Sequence, residues 1–354
     1  MKYGRANLKV GTLGFSSARS QSFADYVLSM EPEYLGGSAP PLHLFMTFPQ
    51  VDLSRISDVA ASAGVSVSVK QASGNLYDLA VRLRKRAAYA KLVAYDETWT
   101  IVVRSEESPV AAGEIVEKWL ANVHPKLISS FFDSKQLLDV VDSFRKLPNP
   151  PEINVSEFVL REYPKGPTHK TWEKGKPYDR SVIERHILDN NAPLDSIKFK
   201  ISAERDSFDC RISRNGHLVL YAGSISQFMS LIVSPMTDIA KANQDFFRNR
   251  QREFLEGKIV LKEIRLAADE KEVATEHLER LGGAICDAFV GAILHSGNPM
   301  LYVNAIDKLD GSVFDVCAYP DEIIVMPYSK ASPSSLIRLY MLITEVVPSA
   351  QRRD

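Results

Sequence analysis

Apolar and polar positions follow two different periods along this chain, and the places where the period changes mark the ends of elements. The clearest stretch runs from Ala94 to Pro125. Ala94-Tyr95-Asp96-Glu97 leads into a mostly apolar run, Trp99 to Val103, and then into Ser108-Pro109. Beyond it Ala112, Ile115, Val116, Trp119 and Val123 are apolar at helical spacing. This pattern predicts a hairpin that feeds an amphipathic helix. Asp96-Glu97 supply turn residues, Ser108 can cap the first free amides, and Pro109 suits a first helical position, where no N–H is missed. A shift of 224 positions carries Ala94 onto Ala318 and repeats the pattern: Tyr319-Pro320-Asp321-Glu322, the run Ile323 to Met326, and Ser332-Pro333. The helical positions then fall on Leu336, Leu339, Tyr340, Ile343 and Val347, before Pro348.

The remaining chain reads by the same rules. Leu8–Phe15 is expected as a strand and Ser17–Met30 as a helix, within an N-terminal extension, 1–41, that packs on a first unit. That unit, 42–147, has strands at Leu42–Phe48, Val65–Val69, Leu76–Leu83, Ala87–Ala94 and Trp99–Val103, with helices at Leu53–Ala63, from Pro109, and at Ser134–Arg145. Leu147-Pro148-Asn149-Pro150-Pro151 cannot continue a helix and marks a boundary. A second unit, 152–256, has a strand Glu157–Tyr163, a long polar loop Pro164–Asp179 and a helix Ser181–Leu188. Strands Ile197–Ile201, Phe208–Ile212 and Leu218–Tyr221 follow, then a short helical seam through Ile225, Phe228, Met229 and Ile232 ended by Pro235. The third unit, 257–354, reads as strand Ile259–Leu266, a helix from Asp269 toward His295 with Gly282-Gly283 as a break, strands Leu301–Ile306, Val313–Ala318 and Ile323–Met326, and a closing helix Pro333–Val347.

The expected fold class is therefore α+β: tandem repeated units of antiparallel sheet backed by helices, ordered strand, helix, three or more strands, helix, in three copies. Two units of this order resemble the general plan of TATA-box-binding folds, and three resemble ring clamps. The likeness is one of element order, without a motif residue of either family, so no function follows from it.

Composition narrows the class. At 354 residues the chain has room for two or three cores, and 45% hydrophobic with 25% charged residues is the balance of a soluble globular protein. A formal net charge of -1 gives no global pull toward nucleic acid or an anionic membrane, so such a contact would need a local patch. Cys210, Cys286 and Cys317 are odd in number and lack CxxC spacing, which argues against a disulfide framework or a cysteine-built zinc site. Met1–Phe15 lacks the apolar core of an export signal, and Gly283–Leu294 is too short for a span and carries Asp287. The expectation is a cytoplasmic protein with no membrane partner.

Enzyme signatures are scarce. No P-loop, GxGxxG, HExxH, GxSxG or EF-hand pattern occurs, and Gly11-Thr12-Leu13-Gly14 reads as a turn. Glu276, His277, Cys286, Asp287 and His295 are dense in the third unit, yet on one helix His277 and Cys286 would point to opposite faces, and metal ligands must converge. Asp206, Asp209, Arg211 and His217 lie in or beside one hairpin, where alternation puts Asp209 and Arg211 opposite Phe208, Cys210 and Ile212. A solvated face has the same pattern, so no catalytic residue, metal or cofactor is assigned.

Basic residues carry more signal. Strand period places Arg82, Arg84 and Arg86 on one face with Leu79, Val81 and Leu83 inward, and Lys85, Tyr89 and Lys91 lie close by. Guanidinium groups roughly 6.5–7 Å apart would match successive phosphates of a nucleic-acid strand. A second cluster is Arg248, Arg250 and Arg252, behind Phe246-Phe247. A third is the loop holding Lys165, His169, Lys170, Lys174, Lys176 and Arg180, where Trp172 and Tyr178 offer ring faces to bases. The functional expectation is a non-catalytic binding or scaffold protein with nucleic acid as leading ligand. The alternative is an assembly subunit that binds another protein through sheet edges and the basic loop; an enzyme with an unrecognised site is third.

Overall fold

The computed structural model describes residues 26–37, 39–49, 65–74, 76–83, 86–95, 98–103, 109–123, 127–162, 165–190, 192–202, 207–248, 253–255, 258–260, 262–268, 275–297, 300–328 and 331–352. The expected strand Leu8–Phe15, the expected helix Leu53–Ala63 and most of Ser17–Met30 lie outside them.

A short helix α1 (Glu31–Leu35) precedes β1 (Leu42–Pro49), β2 (Val65–Ser73), β3 (Leu76–Leu83), β4 (Arg86–Tyr95), β5 (Thr98–Val103), helix α2 (Pro109–Val123), β6 (Leu127–Ser129) and α3 (Ser134–Ser143). The middle of the chain gives β7 (Glu152–Glu162), β8 (Gly166–Pro177), α4 (Arg180–Asn190), β9 (Leu194–Ser202), β10 (Ser207–Ser213), β11 (His217–Gly223), α5 (Ile225–Phe228) and α6 (Ser234–Arg248). The last part comprises β12 (Glu253–Leu255), β13 (Lys258–Val260), β14 (Ile264–Ala267), α7 (Thr275–Ala288), β15 (Val290–Gly297), β16 (Met300–Ile306), β17 (Val313–Ala318), β18 (Glu322–Pro327), α8 (Pro333–Val346) and β19 (Gln351–Arg352).

These elements make an α+β fold with two main antiparallel sheets. An eleven-stranded sheet runs β2-β3-β4-β5-β1-β11-β10-β9-β7-β8, with β6 on β1; a six-stranded sheet runs β15-β16-β17-β18-β14-β19; β12 and β13 form a separate hairpin. Strands from both sides of the proline cluster share the larger sheet, because β1 pairs with β11 from Leu42↔Leu220 to Phe45↔His217. Strand order is the same in two places: β2-β3-β4-β5-β1 and β15-β16-β17-β18-β14 both set the opening strand beside the last strand of a meander. The middle stretch differs, since β7 lies next to β9 and carries β8 on its other side. A three-copy pattern is not carried by these orders.

Alternation explains the layers. In β1, Leu44 and Met46 enter one core while Phe45 enters another on the opposite face. The apolar face of α2 closes the Phe45 side, with Ile115, Val116 and Trp119 against Ile101 and Val81. Helices α3, α5 and α6 close the other side, with Leu138, Phe228 and Met236 against Phe199 and Ile212. A third core joins α7 and α8 to the smaller sheet and takes in Phe131 and Phe247 from the larger part. Each fully buried large apolar side chain contributes about 1.5–3 kcal/mol. Ser332, an expected cap, accepts from the Ser335 amide at 3.1 Å, Ser224 caps α5 by accepting from the Gln227 amide at 3.2 Å, and Ser108 lies outside the described residues. The N-terminal part reaches the middle stretch: Glu31 accepts hydrogen bonds from Ser224 Oγ (2.8 Å) and the Ser226 amide (2.9 Å).

Five local expectations need correction. The single strand expected over Ile259–Leu266 is two, Lys258–Val260 pairing with β12 and Ile264–Ala267 with β18. The polar stretch Pro164–Asp179 is not a loop, because Gly166–Pro177 pairs with β7 as an edge strand. An edge strand needs only one neighbour, so lysines and prolines are tolerated there and the sequence looks like a connector. Pro235 does not end the helix that starts at Ile225. A π-helical turn at Met229–Val233 precedes it, and α6 continues to Arg248; the wider turn relieves the clash and lost donor that proline brings to a regular ladder. The helix expected to run toward His295 stops at Ala288, and Val290–Gly297 is a strand paired with β16. A continuous apolar run fits either period, and pairing decides it. Gly282 and Gly283 lie inside α7 and do not break it; a Cβ on Gly282 would stand 3.2 Å from Leu301 Cδ1, so Gly282 sets close helix-sheet packing.

Candidate nucleic-acid interface

Edge strand β8 and helix α4 enclose a groove of about 400 Å³ whose polar lining includes Lys170, Trp172, Lys176, Asp179 and His186. Register puts Lys170 opposite Phe158 on β7, so Lys170 and, two positions on, Trp172 face the helix side of the sheet. The Trp172 ring lies 5.4 Å from the Phe158 ring, which itself lies 5.5 Å from the His186 ring. Lys176 Nζ stands 5.2 Å from the centre of the Trp172 ring. Trp172 is half-buried and Lys176 exposed, so an indole face and two ammonium groups share one open cleft. Such a cleft can stack a planar ring and neutralise adjacent phosphates.

The other members of the expected basic loop are placed differently. Lys165 is exposed in the turn before β8. His169 is on the opposite face, hydrogen-bonded through Nδ1 to Glu157 at 2.7 Å. Lys174 is part of β8. Arg180 is engaged within the fold, donating to Asp139 (2.6 Å), Asp142 (2.7 Å) and Glu184 (2.6 Å). Burial disfavours its charge, but these carboxylates outweigh that and raise its pKa. Tyr178 is buried, so its ring presents no face to a ligand, and the Arg145 guanidinium lies 4.8 Å from its centre.

The first basic cluster is split. Arg82 pairs with Ala87 across the β3–β4 hairpin and Leu83 pairs with Arg86, so Arg82 and Arg86 stand on different strands and the expected single-strand row does not form. Arg84 and Lys85 lie outside the described residues. Arg82 and Tyr89 are exposed. A shallower groove of about 340 Å³ is lined by Tyr26, Lys70, Asp78, Tyr89 and Lys91. Lys91 is ion-paired with Asp78 and lies 5.8 Å from the Tyr26 ring centre. From β4 to β8 the sheet takes seven steps, or roughly 34 Å along it at about 4.8 Å per strand. In the second cluster Arg248 is exposed at the end of α6, and Arg250 and Arg252 lie outside the described residues. The fold therefore gathers Lys170, Trp172 and Lys176 and leaves the other clusters apart.

A polar constellation on the other sheet face was not anticipated. Arg211 is ion-paired with Glu157, and Lys198 Nζ stands 3.8 Å from Asp209 and 4.1 Å from the Tyr221 ring centre. Burial works against the Glu157 carboxylate, but the His169 hydrogen bond and Arg211 hold its pKa below the usual value. Where the sheet meets α2, His43 Nδ1 and His217 Nε2 are 3.0 Å apart, with one donating to the other, and Phe45 stacks on His217 at 4.2 Å. Burial, then the Arg211 charge, pushes His43 down to about 4; burial, then His43 and Arg211, pushes His217 down to about 3. Gly113 makes room for the pair, because a Cβ there would lie 3.0 Å from His43 Nδ1. No spacing signal could have joined residues that meet only through the β1–β11 ladder.

The hairpin residues suspected of acid-base chemistry are thus occupied structurally: Asp209 with Lys198, Arg211 with Glu157, His217 with His43; Asp206 lies outside the described residues. His295 is on β15 and not on the helix with His277 and Cys286. Among the described residues no three His, Cys, Asp or Glu side chains converge as a metal site, and no helix is long and apolar enough to cross a membrane. No protein-family model matches the sequence, and no curated protein matches it.

Proposed function

We propose that this is a non-catalytic binding protein whose leading ligand is nucleic acid, taken as a single strand in the groove between β8 and α4. The observation that supports the reading is the half-buried Trp172 ring flanked by Lys170 and Lys176 in a cleft of about 400 Å³. A base stacks on the indole and the lysines meet the phosphates on either side. Tyr89, Lys70 and Lys91 offer a separate, weaker contact, with Arg82 exposed farther along β3. A labelled oligothymidine of about ten nucleotides tests this: binding should quench Trp172 fluorescence and weaken as salt rises. Trp172→Ala should abolish the quench, and Lys170→Ala with Lys176→Ala should make the slope of log K against log salt shallower by about 1.4, at about 0.7 per phosphate contact on a single strand. Absence of binding at low salt, or binding that ignores all three substitutions, refutes the reading.

Two further parts of the proposal concern origin and compartment. Residues 42–147 and 257–354 are copies of one unit, with 152–256 between them, a reading supported by the matching strand orders. The protein works in a reducing, cytoplasmic compartment, a reading supported by Cys210, Cys286 and Cys317, which are all free thiols.

A further inference from the structure

The outer strands of the two main sheets are β2, β8, β15 and β19, and they are not equally protected. β8 carries Lys170, Lys174, Lys176 and two prolines, and β2 alternates valine with serine and then carries Lys70 before ending at Ser73; such residues discourage pairing with another chain. β19 has two residues. β15 is different: eight residues, Val-Gly-Ala-Ile-Leu-His-Ser-Gly, with no Asp, Glu, Lys or Arg. Its apolar side chains are uncovered, Val290 at 55%, Ile293 at 46% and Leu294 at 58% exposure, and Ile306, opposite Val290 on β16, at 39%. Among the described residues no strand pairs with its outer edge. β15 has a bulge between Ile293 and His295, but a long, uncharged, apolar edge is still what natural sheets avoid unless something pairs with it.

We propose that β15 pairs antiparallel with β15 of a second copy, joining the two six-stranded sheets across a twofold axis. Charge supports an identical strand as occupant, since β15 can lie against itself without any like-charged carboxylate or ammonium pair, and in a centred register His295 faces Ala292. Shape agrees: α7 packs on one face of β15, and the exposed parts of Val290, Ile293 and Leu294 are met by the same residues of the second strand, which a polar peptide would not supply. Closure agrees as well. The far edge of the smaller sheet is the two-residue β19, too short to accept β15, so head-to-tail growth is blocked and a closed pair results.

Sedimentation equilibrium of the full chain tests this. The wild-type protein should show twice the chain mass at micromolar concentration. Leu294→Lys and Leu294→Asp, each placing a charge near the axis, should each weaken association by more than about tenfold, and an equal mixture of the two should restore it. Circular dichroism and melting of both variants should match wild type, since Leu294 is on the surface. A wild-type protein that stays monomeric to submillimolar concentration overturns the proposal. So does a dimer that neither variant weakens, or a mixture that stays monomeric when each variant is folded.

Discussion

Arg214 offers the most direct test of how the two sheets are held together. It sits in the Arg214-Asn215-Gly216 turn of the larger sheet and is 3% exposed, yet its guanidinium reaches into α8 of the smaller one. Nη2 donates to Thr344 Oγ1 at 3.1 Å and to the Met341 carbonyl at 3.4 Å, Nη1 stands 3.6 Å from Glu345 Oε1, and the group lies 5.0 Å over the Phe131 ring. Burial lowers its pKa and Glu345 and Asp195 partly restore it, so the cation depends on the partners it has. Arg214→Met keeps most of the volume and deletes the charge. Breaking a fully buried ion pair by removing one member costs about 3–5 kcal/mol. Glu345 keeps contact with water, its side chain being 21% exposed, so a stranded carboxylate is partly rehydrated and the expected loss is about 2–3 kcal/mol.

Urea unfolding followed by circular dichroism reads this as a lower midpoint at unchanged slope. Glu345→Gln should cost a similar amount, because it leaves the fully enclosed guanidinium without its carboxylate, and the double variant should cost less than the sum. A loss under about 0.5 kcal/mol for Arg214→Met, the scatter of ordinary surface changes, would show that the seam is held by Phe131, Phe247 and Tyr340 alone.

Two other outcomes follow from single positions. Gly223 has φ 103°, and a Cβ there would stand 1.9 Å from the Ser207 carbonyl oxygen; Gly223→Ala should lower the urea midpoint by the equivalent of at least about 1–3 kcal/mol, and a neutral result would remove the strain argument. His43 and His217 fall from the ordinary 6.5 to about 4 and about 3, so the unfolded chain binds more protons than the folded one. Stability is therefore complete above about pH 6.5 and declines as pH falls toward 4 and then 3, by up to about 1.4 kcal/mol per pH unit for each ring; His217→Gln should flatten midpoints measured between pH 7 and pH 5, and an unchanged slope would place the acid sensitivity elsewhere.

The legible parts of the fold were those in which one face of an element meets a core. β16 and the helices beginning at Pro109 and Pro333 follow one period because one face of each is buried, and β5 reads as a continuous apolar run because both its faces are, Ile101 and Val103 in one core and Val102 in the other. β8 is polar along its length because its hydrogen bonds need one neighbour and its outer edge meets water, so a true strand read as a loop. That error also set the limits of the site. As a loop, Lys165 to Arg180 offered every basic and aromatic residue to a ligand; as a strand, alternation sends His169 to one face and Lys170 and Trp172 to the other, and Arg180 starts a helix where three carboxylates hold it.

The 224-residue correspondence can be tested against register, which is a stricter criterion than pattern. In the β4–β5 hairpin Ala94 pairs with Trp99, Val93 with Thr100 and Leu92 with Ile101. The same shift turns these into Ala318 with Ile323, Cys317 with Ile324 and Val316 with Val325, which are the pairs of β17 and β18. Both hairpins close through a two-residue turn, which fixes this pairing once the turns are aligned, so the agreement is consistent with the copy reading proposed above and does not establish it. The preceding pair is offset: Leu79 faces Ala90 in the larger sheet, whereas Val303 faces Val316, not Phe314, in the smaller. An even offset of two keeps every side chain on its own face, so the core of each unit tolerates it. If the two units are copies, as proposed above, divergence between them would fall in offsets of this even kind and in the outer strands, where β2 is alternating and serine-rich and β15 is apolar. That contrast puts an exposed apolar edge on one unit only, and the self-association inferred for β15 would then belong to the C-terminal unit alone.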